Sequence, residues 1–247
     1  MAFKDPFATT MRTTAQAAEM DVGLRSYMLR IYNYMASGLL LTGIVALFTA
    51  NSPAMLNMLY TQTAEGFGPS GLGYLVMFAP LAFILVMSFG MNRMSVFALQ
   101  ATFWGFAVVM GLSLANIFLA FTGVSVARMF FITAGAFGAL SLYGYTTQKD
   151  LSGWGSFLFM GLIGIILASL VNLFLASSAL QFAISVIGVL VFAGLTAYDT
   201  QKLKTIYYQV AGSAEMMAKV SIMGALNLYL DFINMFIMLL QLFGDRR

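Results

Sequence analysis

Seven apolar runs, each close to the length that crosses a bilayer, leave this chain few ways to fold. They cover residues 31–50, 72–91, 96–121, 129–145, 154–176, 179–198 and 220–243. A hydrocarbon core about 30 Å thick takes about 20 residues of helix, and a backbone inside it has to satisfy its own hydrogen bonds. The expectation is an all-α polytopic membrane protein with seven transmembrane helices. Only 9% of the 247 residues are charged and 61% are hydrophobic, whereas soluble domains carry about 25% charged residues. No room remains for a separate soluble domain. The chain divides into an N-terminal arm, residues 1–30, and a seven-helix transmembrane domain, residues 31–247. The arm is polar and of mixed charge, is expected to be mobile or interfacial, and does not read as a cleavable signal peptide. Glycine and alanine crowd the third to sixth runs, as at Gly135, Ala136, Gly138 and Ala139, and allow close helix contact. The many Met and Phe residues read as lipid-facing packing.

Charge sets orientation. Lys4, Arg12, Arg25, Arg30, Arg93, Lys149, Lys202, Lys204 and Lys219 fall on one side of a seven-span topology, and Arg128, Arg246 and Arg247 on the other. Basic residues favour the cytoplasm, which puts the N-terminus inside and the C-terminus in the periplasm. The net charge of +3 therefore reports membrane orientation and not nucleic-acid binding. The chain has no cysteine and no histidine. That removes disulfides, thiol catalysis, Cys/His metal sites and the imidazole switch, and leaves carboxylates to sense pH.

One carboxylate stands where lipid is expected. Asp231 lies in Leu226-Asn-Leu-Tyr-Leu-Asp-Phe-Ile-Asn-Met-Phe236, an uncharged stretch on both sides. It is roughly 18 Å along the helix from Lys219, about half-way through the hydrocarbon. An acid there costs about 2.5–3.5 kcal/mol on insertion scales and needs a partner, a proton or water. Asn227 and Asn234 share its side of the helix within roughly 60°, which suggests an inward polar face. The three residues serve either as hydrogen-bonding glue between helices or as a working site.

A second acid, Asp199, follows the sixth run, three residues before Lys202. Its helix and that of Asp231 are consecutive and joined on the cytoplasmic side. Asp199 reads as a boundary residue at the helix end, which leaves a depth gap of roughly 10 Å between the acids. If they meet, they titrate as a coupled pair, and in the dianion they offer the hard oxygen ligands that suit Ca²⁺. Arg93, at the end of the second helix on the same side, either snorkels to the interface or latches onto the acids. Asp150 or Ser152 is expected to cap the fifth helix. Leu142-Tyr-Gly-Tyr-Thr-Thr-Gln-Lys149 and Leu195-Thr-Ala-Tyr-Asp-Thr-Gln-Lys202 share L-x-x-Y-x-T-Q-K, either by chance or as a duplicated two-helix unit.

Enzyme readings fail on residue types. A retinal protein needs a lysine deep in a helix, a metalloprotease needs histidines, and an aspartyl intramembrane protease needs a Gly-x-Gly-Asp partner for Tyr198-Asp199. No enzyme and no resident cofactor are expected.

The strings Tyr229-Leu-Asp-Phe-Ile-Asn234, Ala197-Tyr-Asp-Thr-Gln-Lys202 and Tyr143-Gly-Tyr-Thr-Thr-Gln-Lys-Asp-Leu-Ser152 closely resemble the Bax inhibitor-1 (transmembrane Bax inhibitor motif) family, over about residues 20–247. They look most like its bacterial inner-membrane branch. The resemblance implies a central C-terminal helix surrounded by the others and a pH-sensitive Ca²⁺ leak governed by two aspartates, which fall on Asp199 and Asp231. It implies further that Arg93 matches an arginine that holds the closed state, although a channel-like relative carries a basic cluster where this chain has one arginine. Another branch implies a role through protein contact, as an inhibitor of a membrane-bound ATP-dependent protease or a suppressor of cell death. The N-terminal arm would then be the handle. Implied partners are the bilayer, Ca²⁺ and protons, and that protease.

Overall fold

The computed structural model describes residues 6–63 and 66–247, with side chains described from residue 20 onward except 62–67. The first five residues of the arm lie outside the described residues. Eight helices form: α1 (Pro6–Ala50), α2 (Pro53–Leu59), α3 (Gly71–Gly90), α4 (Val96–Ala120), α5 (Gly123–Thr146), α6 (Ser152–Leu175), α7 (Ser178–Val210) and α8 (Ala214–Phe243). Seven of them are long and apolar enough to cross a membrane; the short α2 is the exception. The apolar runs set the number of spans, and Ser or Thr sets where many begin. Ser70, Ser95, Thr122, Ser177 and Ser213 each accept a hydrogen bond from a first-turn N–H of α3, α4, α5, α7 and α8. Such caps satisfy donors that lipid cannot.

The helix limits depart from the apolar runs in three places. First, α1 is one helix from Pro6, and Leu24, Tyr27 and Met28 are already core residues, so no break in structure falls at residue 30. Second, α7 continues well past Tyr198 to Val210, because a polar sequence need not leave the helix where it leaves the lipid. Third, the connection 51–71 holds α2 and an antiparallel hairpin of β1 (Tyr60–Thr63) and β2 (Gly66–Pro69). Ser70 fastens that hairpin to α2 by donating its hydroxyl to the Met58 carbonyl at 2.6 Å.

The nearly continuous fifth and sixth runs are split at Ala176, which ends α6 with φ 46° in the left-handed region. Asn172 secures the corner by accepting the Ser177 N–H at 3.0 Å. At the start of α6, Asp150 Oδ1 accepts the Ser152 N–H at 2.8 Å. Hydrogen bonds from the Ser152 side chain and backbone hold the Asp150 carboxyl below the usual carboxylate range.

The C-terminal helix is the axis of the bundle. In α8, 61% of the most apolar stretch is buried, against 39% or less in every other span. Helices α1, α4, α5 and α7 pack directly on it, α3 lies behind α4, and α6 lies behind α7. Tyr229 anchors the centre, wholly buried, with its hydroxyl 2.7 Å from that of Thr42, which donates to the Ala107 carbonyl at 2.8 Å.

The sequence echo meets itself in space. Gly144 of α5 and Ala197 of α7 hold equivalent positions in the two copies of L-x-x-Y-x-T-Q-K, and here the two helices touch backbone to backbone. A side chain at Gly144 would strike the Ala197 carbonyl, whereas one at Gly138 on the same helix meets nothing. Gly144→Leu is therefore expected to destabilise the bundle by about 1–3 kcal/mol through overpacking. Gly138→Leu should stay within about 0.5 kcal/mol of the parent. Thermal unfolding of the two variants in detergent checks the contrast, and equal melting would refute the close crossing.

Candidate functional site

The α7–α8 seam builds the site. Its register is fixed along its length: Leu203 packs where a side chain on Gly224 would sit, Met238 fills the space over Gly188, and Ser185 donates its hydroxyl to Gln241 Oε1 at 2.9 Å. In this register the two acids come within hydrogen-bonding reach of each other. The depth gap expected from the sequence is absent. Asp199 is not a boundary residue at a helix end; it sits inside α7, because α7 continues to Val210 and turns only there.

The two acids differ in exposure. Asp231 is 5% exposed, and its Oδ2 is wholly buried with no hydrogen-bond donor. Asp199 is half-buried. Lys202 is the cation whose charge acts on Asp199, and its ammonium lies 5.8 Å from the centre of the Tyr198 ring. Thr200, the next residue, turns to the other face of α7. It donates to the Thr196 carbonyl and pairs with Ser141 of α5 at 2.9 Å, and Ser141 pairs in turn with the Tyr32 hydroxyl of α1. This chain of hydroxyls pins α7 to α5 and α1 beside the acids. Nothing in the sequence pointed to it, since Ser and Thr are scattered through every span.

The supporting residues depart from the expected inward polar face. Asn227 is exposed, on the side of α8 that its neighbours leave uncovered. Asn234 is half-buried and donates to the Leu230 carbonyl of its own helix at 2.8 Å. Arg93 is exposed in the turn between α3 and α4 and forms no salt bridge with Asp199. Lys202, three residues on, lies one helical turn from Asp199 now that α7 continues, and likewise forms no salt bridge with it. Among the described residues, no group of three or more acids gathers, so a bound cation would draw further oxygens from amides, carbonyls or water.

A bundle of seven spans, with its C-terminal helix as the core and two adjacent acids in its last hairpin, defines a compact class of polytopic membrane protein. The family described as "Inhibitor of apoptosis-promoting Bax1" matches residues 24–247, and the chain belongs to this Bax inhibitor-1 family. Among its relatives is the Rickettsia prowazekii protein RP147, 49% identical over 98% of this chain and 98% of its own length. A Caulobacter vibrioides protein is 46% identical over 99% of this chain and 98% of its own. The Escherichia coli inner membrane protein YbhL is 49% identical over 91% of this chain and 94% of its own.

Because the chain lacks cysteine, the contact between the acids is open to direct test. An Asp199→Cys/Asp231→Cys double variant should be joined by a short crosslinker carrying two methanethiosulfonate groups, each thiolate displacing one sulfinate to form a disulfide, read as the mass of a single bridged adduct and as loss of maleimide labelling in the denatured protein. Free labelling of both sites would separate the acids.

Proposed function

We propose that the protein is a passive, pH-gated Ca²⁺ channel or leak of the bacterial inner membrane, with Asp199 and Asp231 as proton sensor and ion site. It performs no enzymatic chemistry. The observation that carries the reading is the adjacency of two carboxyls from consecutive spans, one buried and one half-buried, with Asp231 Oδ2 lacking a donor. A proton shared between them supplies that donor and closes the pair. Losing it leaves two like charges in contact, which either part or bind a cation. Ca²⁺ fits as cargo, since it takes six to eight hard oxygens in flexible geometry. The inner-membrane location rests on the name of the E. coli relative and on the seven spans.

The sign follows from the proton. Acid conditions keep the pair protonated and closed, and flux rises with pH as the proton leaves. Ca²⁺ entry into dye-loaded proteoliposomes, from about pH 6 to about pH 8, is expected to climb in the parent protein. Asp231→Asn and Asp199→Asn should each flatten the profile. An unchanged pH-dependent flux in the double variant would sink the reading.

The family's description as an inhibitor of apoptosis-promoting Bax1 favours a second reading: regulation by protein contact. A membrane-bound ATP-dependent protease is one such partner. The N-terminal part of α1 is then the handle, and a deletion that tests it must stop before the core residue Leu24. This reading requires loss of regulation with ion flux intact.

A further inference from the structure

Helices α1 and α5 both lean on α8 but do not pack against each other. The seam between them holds a cavity of about 500 Å³, walled by Met28, Met35 and Ala36 of α1 and by Phe137, Gly138 and Leu142 of α5. Its chemistry runs from one end to the other. Arg25 and Tyr145 line one end, and Ala36 and Phe137 the other. Along α1, Arg25 to Ala36 is roughly 16 Å, the depth of one leaflet of a hydrocarbon core about 30 Å thick. The hydroxyls of Tyr32 and Ser141, part-way down, are paired with each other and present no unmet demand to a ligand.

The polar end is cationic. Arg25 forms no salt bridge with any described residue, and no acid lines the cavity. A second cation stands at the same end: Lys204 donates to the Tyr145 carbonyl at 3.1 Å, with its ammonium 5.4 Å from the centre of the Tyr145 ring. Leu29 and Leu142 flank the cavity and are exposed, at 51% and 62%, so its open side faces the bilayer. A free anion would use the cations and leave the apolar trough empty. A second copy of the chain would bring a helix, too thick for a slot that the paired Tyr32 and Ser141 side chains already bridge.

We infer that the α1–α5 groove is a binding site for one anionic phospholipid, with an acyl chain between Met35 and Phe137 and the phosphate at Arg25 and Lys204. Arg30, Lys149 and Lys202 belong to the same basic side of the protein. The lipid therefore comes from the cytoplasmic leaflet, where basic residues and anionic headgroups attract. The site is independent of the acid pair and stands whether or not the protein conducts ions.

Native mass spectrometry of the full chain in detergent tests the site, by titration with phosphatidylglycerol and with phosphatidylcholine of the same acyl chains. The parent should retain one phosphatidylglycerol in preference to phosphatidylcholine. Arg25→Gln, at an exposed position, should cut that preference about fivefold, the effect of one basic residue near an anionic surface. Gly138→Leu puts a side chain into the groove at a position where a Cβ meets nothing within 4 Å and should weaken retention of both lipids while thermal unfolding stays unchanged. Equal retention of the two lipids by the parent would overturn the assignment. So would a preference that Arg25→Gln leaves intact, an adduct that Gly138→Leu leaves undiminished, or a dimer in place of the lipid adduct.

Discussion

The packing of α7 along α8 is the contact on which the rest of the bundle depends. Among the described residues Asp231 is the one buried acid, and a carboxyl at that depth is tolerated only with a partner. The partner comes from the next helix in the chain, in a register held by Leu203 at Gly224 and by Gln241 with Ser185. With that hairpin fixed, α5 crosses α7 at Gly144, α1 and α4 close around Tyr229, and α3 and α6 form an outer layer. Small residues at the crossings and hydroxyl pairs between helices substitute for a hydrophobic drive that lipid does not provide.

Much of this was legible in the sequence, for physical reasons that can be named. Spans are long and their composition extreme, so their number and order survive any uncertainty at their ends. Asp231 stood out because nothing charged surrounds it. The error at Asp199 arose because hydropathy reports where lipid ends and not where a helix ends. At Tyr198 the two boundaries part, and Asp199 moved from a helix terminus to a helix interior with a neighbour within reach. Asn227 misled in the opposite sense. Periodicity puts it on one arc with Asp231 but cannot say how far along that arc a neighbour reaches: Asp231 is covered and Asn227 is left open. Arg93 shared a membrane side with Asp199 without sharing a contact, since a common side fixes depth and leaves lateral position free. The Tyr32–Ser141–Thr200 chain had no signature, because hydroxyls bonded within the bundle look the same in sequence as hydroxyls bonded to their own helix.

The two seams of the structure carry different chemistry. Along α7 and α8 the contact is dense, and its ionisable groups face each other. Between α1 and α5 the contact is slack, apolar in the middle and cationic at one end. One protein thus joins an inward seam with two adjacent acids to an outward groove open to the bilayer, with the hydroxyl chain through α1, α5 and α7 running between them. Movement of α5 has consequences on both sides, because the helix lines the lipid groove with Phe137 and touches α7 through Gly144.

The connections of the last spans also govern how the protein is made. Ala176 and Ser177 alone separate α6 from α7, and residues 211–213 alone separate α7 from α8. Links this short do not let one span settle in the bilayer while its neighbour waits in water. The final three helices are thus expected to enter as hairpins. Asp231 therefore reaches the hydrocarbon already alongside Asp199 and is spared an unaccompanied passage through lipid.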